Sequence, residues 1–92
     1  MKELDIINHY GINHQQRKLQ EEVSELIEAI IQYEMAKKLN LPLDKYRKHV
    51  VEEHTDVTLL MNQIRDYYKI DYDESLKVYE YKFNRTIEGM NK

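Results

Sequence analysis

The stretch VVEEHTDV at residues 50–57 places an acid in the middle of an apolar helix face. Counting by threes and fours from Val50 to Val57 falls on Glu53, with Asp56 at the edge of the face and Glu52 pointing away. A carboxylate at a core position is costly unless it is paired or bound to a metal. The stretch therefore predicts a packed helix in which Glu53 is either paired or bound to a metal. Apolar residues recur around it at Tyr46, Val50, Val57, Leu60, Met61, Ile64 and Tyr68.

A second acidic stretch, LQEEVSEL at residues 19–26, precedes it in the chain. Each stretch holds two acids three residues apart, Glu22 with Glu25 and Glu53 with Asp56. On a helix such a pair projects from one side, about one turn apart. Two facing pairs would offer hard oxygen ligands of the kind that Mg²⁺ prefers. A solvated helix face is the alternative for either pair taken alone.

Iron is the natural competitor for a carboxylate site in a helical bundle. Ferritin-like di-iron sites use Glu-x-x-His on two helices. No Glu in this chain is followed by His three positions later. The sequence therefore favours an all-carboxylate magnesium site, with manganese as the alternative ion.

The composition predicts a single all-α domain, residues 1–92, in the cytoplasm. The chain has 92 residues, two glycines, one proline and no cysteine, which favours long helices and no disulfide framework. The net charge of −3 comes without a basic block, so we expect no nucleic-acid partner. No apolar run approaches the roughly 20 residues that span a bilayer. The start is too short and too acidic for a signal peptide, and we expect no membrane partner.

Two helices are expected before the proline. A short one covers residues 2–10 and ends at Gly11. Asn13 is expected to cap a long helix that begins near His14 and ends around residues 39–40. Ala29 and Tyr33 widen its apolar stripe toward the side where Glu22 projects. The stripe itself is Leu19, Val23, Leu26, Ile27, Ile30 and Ile31.

Two more helices are expected after it. Pro42 is expected in the first turn of a long helix that runs to about Lys69, and Asp73 is expected to cap a C-terminal helix. We predict that the two long helices pack antiparallel with the C-terminal helix beside them. Dimerisation would then complete a four-helix bundle. The C-terminal stripe is Tyr72, Leu76, Tyr79, Phe83, Ile87 and Met90.

Two basic residues, Lys82 and Arg85, lie on another side of the C-terminal helix. Lys as a point charge and Arg as a fork are suited to gripping a polyphosphate. Together with metal-bound carboxylates they predict hydrolysis of a phosphoanhydride. The alternative is that both are ordinary surface cations, and Arg85 has Glu88 at pairing distance on its own helix.

These motifs resemble one known family. The segments EVSE at residues 22–25 and EHTD at residues 53–56 are similar to the ExxE…ExxD signature of the MazG-like all-α NTP pyrophosphatases. The segment QRKLQEEVSEL at residues 16–26 resembles the first motif helix of that family. KFNRT at residues 82–86 resembles its basic motif. The similarity covers roughly residues 11–90.

The resemblance implies Mg²⁺-dependent hydrolysis of a nucleoside triphosphate to the monophosphate and pyrophosphate. Water would attack the α-phosphorus, and the protein would work as a homodimer or homotetramer. It implies catalytic metal ligands at Glu22, Glu25, Glu53 and Asp56. It implies phosphate contacts from Lys82 and Arg85, and we assign base contacts to Gln16 and Tyr10.

Two alternatives stay open beside this prediction. One is a non-catalytic helical dimer that binds a nucleotide or a protein partner. The other lies within the enzyme class: a phosphoribosyl-ATP pyrophosphohydrolase shares the fold class and the acids. The sequence does not name the base or the sugar.

Overall fold

The computed structural model describes residues 2–91, which form four α-helices joined by short turns, with no strand among them. Met1 and Lys92, the two ends of the predicted domain, lie outside these residues. The all-α prediction is confirmed. None of the helices in this part of the chain is both long and apolar enough to cross a membrane. The helices are α1 (Glu3–Tyr10), α2 (Ile12–Lys38), α3 (Asp44–Tyr67) and α4 (Tyr72–Met90).

The two long helices, α2 and α3, pack side by side and run in opposite directions. Gln15 near the start of α2 donates a hydrogen bond to Gln63 near the end of α3, at 2.7 Å. Tyr33 near the end of α2 lines one surface cleft with Arg47 near the start of α3. The short helix α1 packs against both and buries Ile7. The three helices together form one small core.

The contact between α2 and α3, here called the α2–α3 seam, follows a seven-residue repeat. Buried or half-buried side chains recur at alternating steps of three and four along both helices, as in coiled-coil packing. The seam lies on the side of α2 that carries Glu22. On α2 it comprises Ile12, Gln15, Leu19, Glu22, Leu26, Ala29, Tyr33 and Ala36. On α3 it comprises Tyr46, Val50, Glu53, Val57, Leu60 and Ile64.

Both long helices end in a tight, hydrogen-bonded turn. Asn40 adopts φ 57° after α2, and the Leu41 N–H donates to the Ala36 carbonyl at 3.0 Å. The same arrangement ends α3, with Lys69 at φ 54°. This left-handed C-cap satisfies carbonyl groups that the last helical turn leaves free. The first of the two turns folds α3 back along α2.

The long helices start at other residues than predicted. Gly11 adopts φ 90°, which glycine reaches without a steric penalty. The helix α2 begins at the next residue, Ile12. Asn13 therefore lies inside the first turn, and its predicted capping role is wrong. The helix α3 begins at Asp44, so Pro42 precedes the helix instead of sitting in its first turn. Residues 41–43 are non-helical because they span the gap between the two helices.

The C-terminal helix α4 stands apart from the rest. Asp71 caps it by accepting a hydrogen bond from the Glu74 N–H at 3.2 Å, so the predicted Asp73 cap is wrong. Asp73 lies one step inside the first turn. Within residues 2–91, α4 packs against none of the other three helices. Its apolar side chains are exposed at Tyr72, Leu76, Tyr79, Phe83, Ile87 and Met90.

Candidate metal centre

Three of the four predicted acids meet at the α2–α3 seam. Glu22 from α2 and Glu53 and Asp56 from α3 each offer an oxygen atom, and these atoms lie within 4.8 Å of one another. Glu25, one turn further along α2, is exposed and lies outside this group. The antiparallel packing of the two helices therefore creates a cluster of three carboxylates.

The burial of the cluster is uneven. Glu22 is 8% exposed, and the Glu53 side chain is 13% exposed in the middle of the seam, where the apolar stripe placed it. Asp56 is exposed at the edge. The Oε2 atoms of Glu22 and Glu53 are buried and have no hydrogen-bond partner among residues 2–91. A buried charged group without a partner costs more than the roughly 1–3 kcal/mol of a neutral one.

Two basic side chains approach these acids without compensating them. Lys18 Nζ lies 3.4 Å from Glu22 Oε1, but the Lys18 side chain is 48% exposed, so solvent weakens the pair. His49 Nδ1 lies 4.0 Å from Glu53 Oε1 and attracts it only when the ring is protonated. Two charged carboxylates whose oxygens lie 4.8 Å apart, the upper limit within this cluster, repel by about 3–4 kcal/mol at an effective dielectric constant near 20. The arrangement suits a divalent cation with oxygen ligands.

A cleft of about 390 Å³ opens beside the cluster. Its volume falls within the range of about 300–1,000 Å³ typical of small-molecule sites. Acids lie at one end of it, and amide and aromatic side chains lie further along. The lining residues are Tyr10, His14, Gln15, Lys18, Glu22, Asp56, Leu59, Leu60 and Gln63.

A pair of buried amides in this cleft was missed by the sequence analysis. Gln15 is 4% exposed and Gln63 is 6% exposed. Gln15 Nε2 donates to Gln63 Oε1 at 2.7 Å, and His14 Nδ1 lies 2.7 Å from Gln15 Oε1. A spacing signal could have found the pair. Gln15 precedes Glu22 by seven residues and Gln63 follows Asp56 by seven, so each amide lies on the same side of its helix as one of the acids.

The two predicted base contacts have different outcomes. Tyr10 lines the cleft, and its ring stacks on His14 with centroids 5.1 Å apart. Gln16 is exposed and donates from Nε2 to the Tyr68 hydroxyl at 3.2 Å, outside the residues that line the cleft. The structure therefore brings Tyr10 to the acids' cleft and leaves Gln16 beside it.

The predicted phosphate contacts lie on α4, away from the acids of their own chain. Arg85 holds its guanidinium over the Tyr81 ring, 5.8 Å from the centroid. Lys82 lies one turn earlier on the same exposed helix. Because α4 contacts neither α2 nor α3 within residues 2–91, one chain does not bring these cations to the carboxylates.

The cleft thus joins carboxylates, buried amides and an aromatic stack on one side of the helix pair. The carboxylates suit a cation, and the amides suit the polar edge of an organic ligand. Comparisons of the chain with protein-family models, curated proteins and solved structures give no match.

Proposed function

We propose that this chain is a cytoplasmic, MazG-like nucleoside triphosphate pyrophosphohydrolase that depends on Mg²⁺. It would release pyrophosphate and a nucleoside monophosphate by attack of water on the α-phosphorus. One observation carries the proposal: the carboxylates of Glu22 and Glu53 meet across the α2–α3 seam beside a ligand-sized cleft, and each has one buried oxygen without a hydrogen-bond partner among residues 2–91. A seam residue that served packing alone would be apolar.

The donor set fits Mg²⁺ and also Mn²⁺. Glu22, Glu53 and Asp56 provide only oxygen ligands from two rigid helices. A bound ion would supply charge neutralisation at the phosphate and a more acidic water molecule. Glu25 stays a predicted fourth ligand on the exposed side of α2. Lys18 lines the same cleft beside Glu22, and its charge would attract a phosphate group there.

We propose self-association as part of the same function, on the basis of the apolar surface that one chain leaves exposed. A single chain leaves two apolar faces uncovered, one along α4 and one along the outer side of α2. A homodimer or homotetramer would cover them and complete a four-helix bundle. It would also give Lys82 and Arg85 of one copy a route to the acids of another. The uncovered residues of α2 are Val23, Ile27, Ile30 and Ile31.

The test is a panel of ribo- and deoxynucleoside triphosphates, modified nucleotides and phosphoribosyl-ATP, with pyrophosphate detection. We expect Mg²⁺-dependent release from at least one compound, and phosphoribosyl-ATP alone would point to the histidine-pathway type of enzyme. Glu53→Gln should abolish release. Glu52→Gln makes the same chemical change at the neighbouring exposed acid and should retain pyrophosphate release. Silence across the whole panel would contradict the proposal.

The second candidate is a non-catalytic helical dimer that binds a nucleotide or a protein partner. The uncovered α4 face favours it, because such a face suits any helical partner. This candidate predicts nucleotide binding without turnover and a melting temperature that is indifferent to Mg²⁺. The panel and a melting curve with Mg²⁺ therefore separate the two candidates.

A further inference from the structure

We infer that the buried amides of Gln15 and Gln63 form the base-reading subsite of the cleft, selective for a nucleobase whose edge presents a carbonyl oxygen. The inference rests on the proposed function, because it needs phosphates at the acidic end of the cleft. It names the class of substrate: triphosphates of keto bases, such as uracil, over those of amino bases, such as cytosine.

The burial of the amide pair is the first support. Gln15 occupies the same heptad position of α2 as Ala29 and Ala36, which are small and apolar. Packing alone therefore gives no reason for a long polar side chain at this position. A buried amide must find hydrogen-bond partners or lose stability. Gln15 is paired at both ends of its amide, with Gln63 and with His14, and within the described residues neither glutamine has a buried amide atom without a partner. The Gln63 amide nitrogen has no protein partner among residues 2–91 and belongs to a residue that lines the cleft, so a ligand can reach it.

The direction of the hydrogen bonds sets the selectivity. When His14 Nδ1–H donates to Gln15 Oε1, Gln15 Nε2 donates onward to Gln63 Oε1. The chain of bonds then ends at the Gln63 amide nitrogen, in a residue that lines the cleft. An amide NH₂ donates to a carbonyl oxygen and cannot accept from an exocyclic amino group. A keto edge therefore completes the chain of bonds, and an amino edge leaves two donors opposed.

The spacing of amides and acids is the third support. Seven residues separate Gln15 from Glu22 on α2, and seven separate Asp56 from Gln63 on α3. At 1.5 Å per residue, each interval is about 10 Å. The amides and the acids thus face one another at two levels of the same antiparallel pair, a separation comparable to that between a base edge and its α-phosphate. The Tyr10–His14 stack adds an aromatic wall for a flat ring.

The experiment compares dUTP with dCTP, whose bases carry a carbonyl oxygen or an amino group at C4, with N3 protonated in uracil and unprotonated in cytosine. The wild-type chain should show the higher kcat/KM for dUTP. Gln63→Met, close in size but without hydrogen bonds, should lower the dUTP-to-dCTP ratio about tenfold, mainly through KM. Gln63→Glu, which only accepts when ionised, should move the preference toward dCTP. Gln32→Met, at an exposed glutamine of α2, is the control and should keep the wild-type ratio.

A binding measurement separates this inference from the proposed function. Side-chain amide NMR signals of Gln63 are followed while dUMP or dCMP is added to the chain without metal. A shift with dUMP that is larger than the shift with dCMP supports the subsite even if no triphosphate is hydrolysed. Equal or absent shifts overturn it. A wild-type preference for dCTP, or an unchanged ratio in a folded Gln63→Met chain, also overturns it.

Discussion

Glu22 and Glu53 approach each other across the α2–α3 seam, each with one buried carboxylate oxygen that has no hydrogen-bond partner in the described residues. Their nearest basic neighbours, Lys18 and His49, are both about half exposed. The seam therefore holds charge where a purely structural helix pair would hold leucine. This buried charge destabilises the fold, and a cation bound by the two carboxylates would offset the cost.

The first prediction concerns Mg²⁺ and thermal stability. If the carboxylate cluster binds Mg²⁺, the ion at 100 times its dissociation constant should stabilise the fold by about 2.7 kcal/mol, because the cluster forms only in the folded chain. A stability change of 1 kcal/mol moves the melting temperature of a chain this size by about 4–8 °C. Circular dichroism melts with and without MgCl₂ measure the shift. NaCl at equal ionic strength is the control and should give a much smaller shift.

Glu53→Gln should uncouple the melt from Mg²⁺. Without metal, this variant should melt above the wild-type chain, because the substitution removes a buried charge beside another carboxylate. Adding MgCl₂ should leave the melting temperature of this variant unchanged. Glu52→Gln should melt and respond like the wild-type chain. A Glu53→Gln chain that still gains stability from Mg²⁺ would show that the ion binds elsewhere.

The second prediction concerns the exposed face of α4. Phe83 is 52% exposed and stacks on Tyr79, with ring centroids 6.0 Å apart. If this face mediates self-association, Phe83→Lys should weaken the assembly at least about tenfold, since it replaces a large apolar contact by a charge. Sedimentation velocity over a concentration series measures the change. Glu80→Gln alters the net charge equally and should leave the assembly intact.

The third prediction uses the two glycines as a matched pair. Gly11→Ala meets no nearby atom but must hold φ 90°, so it should destabilise the fold by about 1–3 kcal/mol. Gly89→Ala, in open space inside α4, should instead gain up to about 1 kcal/mol of local helix propensity. Melting curves measure the effect of Gly11→Ala. The helical circular dichroism signal measures the effect of Gly89→Ala. Equal effects would contradict the backbone assignment at Gly11.

The fourth prediction separates the two aspartates before α4. Asp71→Ala should lower the helix content of α4 and cost about 0.5–2 kcal/mol, because it removes the bond accepted from the Glu74 N–H. Asp73→Ala should change little, since that residue sits inside the first turn. Helix content in a peptide of residues 70–91 measures both substitutions. A larger loss from Asp73→Ala would move the helix start two residues onward.

The sequence predicted the seam of α3 better than that of α2. Glu53 interrupts a single apolar stripe, so its place in the packed face followed from spacing alone. On α2 the apolar residues extend around two sides of the helix. Periodicity does not say which side another helix covers, and α3 covers the side with Gln15 and Glu22, leaving Ile27 and Ile30 exposed.

Helix starts were harder to predict because several residue types cap well. Asp71 and Asp73 are equally good caps by composition. Glu74, three residues after Asp71, was the deciding signal, since an acid at that position is typical of a capping box. The isolated placement of α4 had no signal in the sequence, because its amphipathic stripe is the same whether a partner covers it or not.

The seven-residue repeat of the seam also has a consequence for how chains align. A helix pair with uniformly apolar seams can slide by one heptad at little cost. Within one chain the connection at residues 39–43 prevents such a slide, but helices from two different chains would not be held by it. Here a slide in one direction would set Glu22 against Leu60. The same slide would set Glu53 against Ala29, and a slide in the other direction would set Glu22 against Tyr46. Each misalignment strands a carboxylate in an apolar layer, so the acidic cluster also specifies the register of the fold.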